Sequence, residues 1–442
     1  MAALRSDSRH VEPGDLFCAI PGTRVDGHAF VGPAAEAGAA AAVVEHTVPS
    51  DLPQLVVTDA RAAVAHLGML FAGDPGEELR LVGITGTNGK STTTWLTRWI
   101  LAERQRTAAM GTLGLVTVDG ELGEPTLTTP DPIRLARTLA ELRAGGAEAV
   151  ALEVSSHALD QRRADGLVFD AIGFTSFSRE HLEYHPDLAA YRAAKLRLLE
   201  LLGPGGVCAV NADEPAWKDI APEGATTLWY GLEPTADIHA SDVSLSADGT
   251  RFRLEIGGEG LPVSLPLPGE FNVRNALAAA AIGSGLGIPS DRIAARLGTA
   301  PPVPGRMEVL RRDPVLVIRD FAHNPDSFER VLSTLRAIVP SRVIAVFGCG
   351  GDRDPGKRPI MGEIATRLAD RVIVTSDNPR SEDPESICRD IVESLDATGY
   401  EVVVDRREAI ERAIDAAGAG DAVVLLGKGH ETTQILGDRV EP

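Results

Sequence analysis

The sequence feature that most constrains the fold is the stretch from Leu81 to Thr92, which reads LVGITGTNGKST. An apolar run ends at Ile84, a glycine-containing loop follows, and residues 94–103 then have the pattern of a helix. A strand, a glycine loop and a helix N-terminus form an anion site, because the loop turns its N–H groups toward one point and the helix dipole adds positive potential. This order predicts an α/β protein with a phosphate-binding loop.

Within the loop, Lys90 and Ser91 supply the chemistry. A lysine at this position can reach terminal phosphates, and the serine hydroxyl can ligate magnesium. The spacing departs from the usual G-x-x-x-x-G-K-[ST] pattern, because Ile84 stands where the first glycine belongs. A loop that merely turns the chain is the alternative, but Gly-Lys-Ser at the mouth of a helix favours the binding of a nucleoside triphosphate.

Chain length and two breaker clusters predict the domain organisation. The 442 residues exceed what one hydrophobic core supports, so roughly two to four domains are expected. Glycines and prolines cluster at residues 73–76 and 301–305, where the boundaries are predicted. We predict a small α/β domain, a central ATP-binding domain with a parallel sheet followed by antiparallel hairpins, and a C-terminal Rossmann-like domain, over residues 1–77, 78–303 and 304–442.

Composition and periodicity also predict individual elements. The alanine-rich residues 34–42 and the residues 188–202 are predicted as helices, and residues 237–268 as antiparallel hairpins. Residues 149–154 and 171–175 are apolar runs typical of buried strands. These strands end in polar residues, where a site could form.

The charge and the cysteines restrict the function classes. A net charge of −20 argues against nucleic acid or an anionic membrane as a partner, because both require basic surface. An anionic substrate would therefore need local basic pockets. The four cysteines are scattered and no signal peptide or long apolar span is present, which predicts a cytoplasmic protein without disulfides or a zinc site.

Three apolar strands in the last third of the chain each end in a polar loop. The strands cover residues 343–347, 372–375 and 422–426, and the loops contain arginines, acids, glycines and a proline. Because the carboxyl ends of parallel strands share one edge of a sheet, these loops are expected to converge on one pocket. The arginines and acids in these loops favour a pocket for a zwitterionic ligand over the alternative that the loops are three ordinary turns.

Glu153 and His181 are candidates for a magnesium site near the phosphate loop. Each follows an apolar strand, and carboxylate and imidazole can share a metal shell with phosphates. A structural role for each side chain stays open. His181 and His185 do not form a zinc-protease motif, because Leu182 occupies the position of the required glutamate.

Two further polar groups have less specific surroundings. Lys195 falls in a predicted helix and by itself would be a solvated lysine. Ser155, Ser156 and His157 lack a surrounding G-x-S-x-G pattern, so hydroxyl contacts to a ligand are favoured over acyl transfer.

Many motifs in one order resemble the Mur ligase family, ATP-dependent amide-bond-forming enzymes of peptidoglycan synthesis, over nearly the whole chain. The motifs are Asp7-Ser8-Arg9, residues 13–17, residues 86–91, Thr128-Thr129-Pro130, residues 153–159, residues 178–182, Tyr191 to Lys195, residues 272–277, residues 305–308, residues 320–323, residues 350–353, Asp377-Asn378-Pro379-Arg380 and residues 427–431.

The resemblance implies a uridine-nucleotide domain, an ATPase domain and a domain that holds the incoming amino acid. It implies that ATP phosphorylates the terminal carboxylate of UDP-MurNAc-L-Ala-D-Glu and that the amine of a third residue attacks the acyl phosphate. The Asp377-Asn378-Pro379-Arg380 run is similar to the version that selects meso-diaminopimelate, since an arginine fork binds its distal carboxylate bidentately. We expect a monomer that acts in cell-wall synthesis and uses only small-molecule substrates.

Site residues follow from the resemblance position by position. The implied catalytic and metal residues are Lys90, Ser91, Glu153, His181 and Lys195, with Lys195 carbamylated. The implied ATP contacts are Gly86, Thr87, Asn88, Gly89, Lys90, Ser91, Thr92, Asn272, Arg306 and Asp320. The implied UDP-substrate contacts are Ser8, Thr23, Arg24, Val25, Thr128, Thr129, Ser155, Gln161 and Arg163. The implied amino-acid contacts are Arg353, Asp377, Asn378, Pro379, Arg380, Gly427 and Glu431.

The sequence also departs from the family pattern. Ser176 and Leu127 each replace a usual asparagine, and Phe321 replaces a common tyrosine. We expect the first strand and helix and the last helix of the family to be absent. A specialised ligase that joins other substrates, including folate, and a nucleotide-binding homologue without catalysis are the alternatives. The uridine motif argues against folate, and the intact Lys90 and Lys195 argue against lost catalysis.

Overall fold

The computed structural model describes residues 2–22, 25–123, 127–396 and 399–441. Within these ranges the strands form a 4-stranded, a 10-stranded and a 6-stranded sheet, followed by a 2-stranded hairpin. The predicted α/β class is confirmed. None of the helices in the described ranges is long and apolar enough to cross a bilayer.

The first sheet is parallel, with its strands in chain order. Its strands are β1 (Leu4–Arg5), β2 (Leu16–Cys18), β3 (Ala41–Val44) and β4 (Gln54–Val56). Its helices are α1 (Val31–Glu36) and α2 (Ala60–Phe71). The predicted helix over residues 34–42 is wrong in extent, because α1 ends at Glu36, Gly38 has a φ of 92°, and the last alanines pair in β3.

The second sheet carries the phosphate loop. Its strands are β5 (Arg80–Thr85), β6 (Thr107–Gly111), β7 (Gly114–Val116), β8 (Ala149–Glu153), β9 (Phe169–Phe174), β10 (Leu202–Asn211), β11 (Thr226–Gly231), β12 (Ile238–Ser246), β13 (Gly249–Ile256) and β14 (Glu259–Leu265). Their order is β14-β13-β12-β11-β10-β9-β5-β8-β6-β7. The strands from β12 to β14 pair antiparallel, which confirms the predicted hairpins.

Helices cover both faces of this sheet. They are α3 (Lys90–Leu101), α4 (Pro132–Ala144), α5 (Ser156–Asp160), α6 (Leu188–Leu196), α7 (Glu270–Gly285) and α8 (Ser290–Gly298). Strand β5 is buried on both sides: Val82 and Ile84 pack in the core under α3 and α7, and Leu81 packs in the core under α4. An apolar strand with no polar face is typical of such a central parallel strand. The predicted helix over residues 188–202 is too long, because α6 ends at Leu196, a 3₁₀ turn follows, and Leu202 begins β10.

The third sheet is parallel except for its first strand. Its strands are β15 (Glu308–Arg311), β16 (Leu316–Asp320), β17 (Val343–Phe347), β18 (Arg371–Val374), β19 (Tyr400–Val402) and β20 (Ala422–Leu426), in the order β15-β16-β20-β17-β18-β19. Its helices are α9 (Pro325–Ile338), α10 (Lys357–Leu368), α11 (Pro384–Val392) and α12 (Arg406–Ala416). The hairpin strands β21 (Gln434–Leu436) and β22 (Arg439–Glu441) follow.

Candidate active site

The phosphate loop joins β5 to α3. Gly86 and Gly89 have φ angles of 146° and 88°, which is a backbone region that L side chains rarely adopt. Lys90 begins α3, and its Nζ donates to the carbonyl oxygens of Gly86 and Thr87 at 3.0 and 2.8 Å. Burial lowers the pKa of Lys90. The amine thus lies over the loop, where terminal phosphates would bind.

Residues after β9 hold the loop in place. Thr175 Oγ1 donates to the Asn88 carbonyl oxygen at 2.7 Å, and Thr87 N donates to the Ser176 carbonyl oxygen at 2.7 Å. Ser176 Oγ accepts from Asn88 N at 3.0 Å. Ser176, the departure from the family pattern, therefore supports the phosphate loop.

We expect Gly86→Ala to disrupt this loop. A Cβ at position 86 would lie 1.9 Å from Thr175 Oγ1, in addition to the strain of its φ angle. Strain alone costs about 1–3 kcal/mol, which would lower the Tm by several degrees, and ADP release should fall by about 100-fold or more. Gly205→Ala is the control, because φ is also positive there and no atom lies within 4 Å. Normal turnover of Gly86→Ala would contradict the tight loop packing.

A cavity of about 410 Å³ lies between the second and third sheets. Residues 87–92 of the phosphate loop line one side, and loops that follow β16, β17, β18 and β20 line the other. Basic side chains in its lining are Lys90, Arg274, Arg306, Arg330, Arg353, Lys357 and Arg380, and acidic ones are Glu153, Glu180, Glu183, Asp320, Asp377 and Glu431. The expected local basic surface is therefore present in a chain that is acidic overall.

Glu153 ends β8, which pairs with β5 beside the phosphate loop, and it lines the cavity. Its Oε1 accepts from Thr112 N at 2.9 Å and its Oε2 from Thr112 Oγ1 at 3.1 Å. His181, with a φ of 57°, also lines the cavity, and its ring lies edge-on to that of His157, with centroids 4.6 Å apart. Both predicted metal residues therefore lie at the same cavity as Ser91.

These donors fit a magnesium ion that is shared with nucleotide phosphates. In the described part of the chain no group of three or more His, Cys, Asp and Glu side chains could hold a metal by itself. Magnesium commonly completes its shell with phosphate oxygens and water. Glu180 Oε2, on the same cavity, is buried and has no hydrogen-bond partner among the described residues, which is an environment that a cation would satisfy.

Lys195 is fully buried on α6, beside the phosphate loop. Its Nζ donates to the Gly86 carbonyl oxygen at 2.7 Å and lies 4.4 Å from the centroid of the Tyr191 ring. Burial, followed by the charge of Lys90, lowers the pKa of Lys195 well below its ordinary value. Because Lys195 is 1% exposed, the interpretation as a solvated lysine is wrong.

The start of the third sheet reaches the phosphate loop through Arg306. Its guanidinium donates to Ser91 Oγ at 3.2 Å and stacks over the Phe321 ring at 4.5 Å. Asp320, at the end of β16, accepts from Met307 N and Ala322 N at 2.6 and 2.7 Å. Phe321 thus supplies an aromatic face beneath the arginine at a position where the family commonly has tyrosine.

The predicted nucleotide contact at Asn272 lies behind the cavity wall. Asn272 is 1% exposed, and its amide donates to the Pro268 carbonyl oxygen at 2.8 Å. Asn275, one turn further along α7, donates to Asn272 Oδ1 at 3.1 Å and lines the cavity itself. Sequence reasoning missed Asn275, although the 3.6-residue period of a helix places both on one face.

Part of the predicted UDP-substrate set forms one hydrogen-bonded group. Arg163 donates to the Thr129 carbonyl oxygen at 3.0 Å and to Gln161 Oε1 at 2.6 Å, and Ser155 N donates to Thr129 Oγ1 at 3.1 Å. Thr128 Oγ1 lies 3.0 Å from Thr112 Oγ1.

The first-sheet members of that set are less connected. Ser8 begins a 3₁₀ turn, and Val25 is 57% exposed. Thr23 and Arg24 lie outside the described residues. Arg61, on α2, donates to the carbonyl oxygen of the nearby Pro21 at 2.6 Å.

The predicted amino-acid contacts on the loops of the third sheet line the cavity together, except for Pro379. The carbonyl oxygen of Pro379 packs against Gly351. Arg380, with a φ of 53°, donates to the Gly351 carbonyl oxygen at 2.7 Å. A Cβ at Gly427 would lie 2.4 Å from Asp377 Oδ2, so the glycine makes room for this carboxylate. Burial raises the pKa of Asp377. The expected convergence of the three loops is therefore observed.

Sequence reasoning also missed a bridge between the phosphate loop and α9. Asn88 Nδ2 donates to Asp326 Oδ2 at 2.8 Å, and Asn324 Nδ2 donates to Asn88 Oδ1 at 3.2 Å. Asn324 caps α9, a role that an asparagine before a proline signals in the sequence. These bonds join the two sheets at the loop that would hold phosphate.

A phosphate loop on one side of a cavity and charged strand-end loops on the other define a class of enzyme that brings a nucleoside triphosphate to a second, zwitterionic or anionic substrate. Family models describe the chain in the same terms: "Mur ligase family, catalytic domain" matches residues 2–67, "Mur ligase middle domain" residues 84–283, and "Mur ligase, glutamate ligase domain" residues 305–429.

Individual relatives extend over nearly the full length. The UDP-N-acetylmuramoyl-L-alanyl-D-glutamate–2,6-diaminopimelate ligases of Halalkalibacterium halodurans and Syntrophomonas wolfei are 42% and 40% identical, covering 99% and 100% of this chain and 91% and 92% of theirs. A solved structure of a ligase with the same name is 36% identical, with a TM-score of 0.71, and covers 100% of this chain and 92% of its own. The chain belongs to the Mur ligase family, which confirms the predicted resemblance.

Proposed function

We propose that this enzyme is an ATP-dependent ligase that adds meso-diaminopimelate to UDP-MurNAc-L-Ala-D-Glu in peptidoglycan precursor synthesis. The observation that carries the proposal is the shared cavity, where the Lys90 loop faces the loops that contain Asp377, Arg380 and Glu431. The relatives at 40–42% identity bear the name of this ligase. A phosphate loop alone would suit any nucleotide enzyme, and the zwitterion-binding loops opposite it suit an amino-acid ligase.

The chemistry requires activation of a carboxylate. A carboxylate oxygen of the UDP-linked substrate attacks the γ-phosphorus of ATP, the bond to ADP breaks, and an acyl phosphate forms. The amine of diaminopimelate then attacks the acyl carbon, loses a proton, and displaces phosphate from the tetrahedral intermediate. Lys90 and Arg306 lie where negative charge develops on the phosphate, and their placement in a desolvated cavity strengthens that stabilisation.

We assign a magnesium site to Ser91, Glu153, His181 and a carbamylated Lys195. Burial disfavours the ammonium form of Lys195, which suits reaction of the amine with carbon dioxide, and the product would be an anionic oxygen ligand in place of a cation. When bound, magnesium would neutralise phosphate charge. The residues themselves position the phosphates and exclude water.

We also propose three domains, with boundaries near residues 77 and 303, and a uridine-nucleotide site between the first and second. The group formed by Thr129, Ser155 and Arg163 supports this site, because its internal hydrogen bonds hold Ser155 at the cavity and leave two N–H groups of the Arg163 guanidinium for a diphosphate. Ser8, Thr23, Arg24 and Val25 would complete it. We further propose that the enzyme acts on small molecules in the cytoplasm, as a monomer.

ADP release with UDP-MurNAc-L-Ala-D-Glu tests the proposal. We expect turnover with meso-diaminopimelate and little with L-lysine, because only diaminopimelate has a second, distal carboxylate that Arg380 can bind. Turnover with lysine alone would retain the ligase and refute the role of Arg380 in selection. ATP binding without turnover of either amino acid would refute the proposed reaction and favour a specialised or non-catalytic homologue.

A further inference from the structure

Lys428 lies in the loop after β20 and contacts two residues of the proposed amino-acid site. Its Nζ donates to Asn378 Oδ1 at 2.9 Å and to Glu431 Oε2 at 2.8 Å, and a third bond goes to the Thr433 carbonyl oxygen. The side chain is 14% exposed, so these bonds are largely shielded from water. An ammonium group has three donors, and all of them are used here.

This contact fixes the orientation of the Asn378 amide. Asn378 Oδ1 accepts from Lys428 Nζ and also from Ile435 N at 3.0 Å, and both are groups that can only donate. The amide nitrogen must therefore point away from them, and it donates to Glu431 Oε2 at 2.9 Å. The second N–H of the Asn378 amide donates to none of the described residues and could donate to a ligand.

The same contact sets the charge and the free oxygen of Glu431. Burial raises its pKa, but the hydrogen bond and charge of Lys428, together with the Asn378 hydrogen bond and the His430 charge, leave the pKa of Glu431 below its ordinary value. Its Oε2 is occupied by Lys428 and Asn378, while Oε1 accepts no hydrogen bond from the described residues. Glu431 and Asn378 both line the cavity.

We propose that Lys428 is a positioning residue for the amino-acid substrate, holding Asn378 as a donor to its carboxylate and Glu431 as an acceptor for its ammonium group. The inference rests on the proposed function and deepens it, because it explains how the site distinguishes the two ends of a zwitterion. Lys428 would not touch the substrate, since its three donors are already bound within the protein.

The rest of this loop has separate support. Gln434 Nε2 donates to the Asp377 carbonyl oxygen at 2.6 Å, and Arg380 N donates to the Ile435 carbonyl oxygen at 3.1 Å. Gly437 N donates to the Arg380 carbonyl oxygen at 2.7 Å. Removal of the Lys428 ammonium should therefore disturb Asn378 and Glu431 while Asp377 and Arg380 keep their places.

The test compares Lys428→Met, which keeps the apolar stem, with Lys428→Arg, which keeps the charge and donors. Steady-state ADP release gives the KM of each substrate. We expect Lys428→Met to raise the KM of diaminopimelate about 30-fold, because charged hydrogen bonds are lost, while the KM values of ATP and UDP-MurNAc-L-Ala-D-Glu stay within about twofold. Lys428→Arg should recover most of the loss. Lys218→Met, at an exposed lysine outside the cavity, is the matched control.

A double-mutant cycle separates positioning from general destabilisation. If Lys428 acts through Asn378 and Glu431, Lys428→Met should add little on a background that carries both Asn378→Ala and Glu431→Gln, whereas independent effects would multiply. Three outcomes would overturn this inference and leave the proposed function standing. They are multiplicative effects, an unchanged KM for the amino acid, and equal increases in all three KM values. If no amino acid supports turnover of the wild-type enzyme, the proposed function fails and this inference fails with it.

Discussion

Replacement of Lys195 with alanine should reduce turnover by about three orders of magnitude, because a ligand of the phosphate-neutralising cation is worth several kcal/mol in the transition state. Lys195 is buried beside Lys90; burial and the Lys90 charge disfavour its ammonium form, whereas the Glu180 charge favours it. The proposed carbamate would replace this cation with an anionic oxygen ligand. Single-turnover ADP formation should show the loss in the chemical step.

Rescue distinguishes the carbamate from a purely structural lysine. A short-chain carboxylic acid should restore part of the activity of Lys195→Ala, because it can place an anionic oxygen in the space left by the side chain. Lys218→Ala is the control for the loss of an exposed lysine and should be unaffected. Near-normal turnover of Lys195→Ala without added acid would refute the role of the carbamate. A structural role in holding the Gly86 carbonyl oxygen would give a loss that no acid rescues.

Arg380→Ala should raise the KM of meso-diaminopimelate by about 100-fold and leave the KM of ATP nearly unchanged. One nitrogen of the guanidinium is fixed by the Gly351 carbonyl oxygen, and the side chain lines the cavity. Burial and the charge of Arg353 lower the pKa of Arg380, but an arginine stays charged at neutral pH. A planar fork that is held in place can bind a carboxylate bidentately.

The backbone at Arg380 requires its own control. Its φ of 53° lies in the left-handed region, which disfavours alanine. Arg380→Asn should therefore be measured beside Arg380→Ala, because asparagine tolerates this region. Both variants should lose affinity for diaminopimelate and keep a similar Tm. Arg389→Ala removes an exposed arginine on α11 and should change neither. Equal increases in the KM values of ATP and diaminopimelate would contradict a role in the amino-acid site.

Local patterns allowed much of the architecture to be predicted. Strands β17 and β20 have the predicted bounds, and β18 differs by one residue at each end, because each is an uninterrupted apolar run between polar loops. The phosphate loop is predictable because a glycine-containing loop with Gly-Lys-Ser follows an apolar run and precedes a helix. The errors came where an apolar or alanine-rich run spans two elements, as at residues 34–42, because composition does not show where a turn interrupts it.

Contacts between distant segments could not be predicted in the same way. Asn88 and Asp326 are 238 residues apart in sequence, and only the packing of α9 against the phosphate loop brings them within 2.8 Å. Lys428 and Asn378 are 50 residues apart and meet because their strands, β20 and β18, flank β17 in one sheet. Their roles depend on that arrangement and not on their own neighbours in sequence.

The sequence by itself determined the phosphate loop and the polar side chains that follow the strands, because a strand, a loop and a helix N-terminus are encoded within about a dozen neighbouring residues. The tertiary structure decided which of these side chains face the cavity and in what state. It buried Lys195 beside Lys90, placed Asn275 rather than Asn272 at the wall, and oriented the Asn378 amide. The desolvation of a group and its hydrogen-bond partners depend on the residues that pack around it. Here those residues are far away in the sequence.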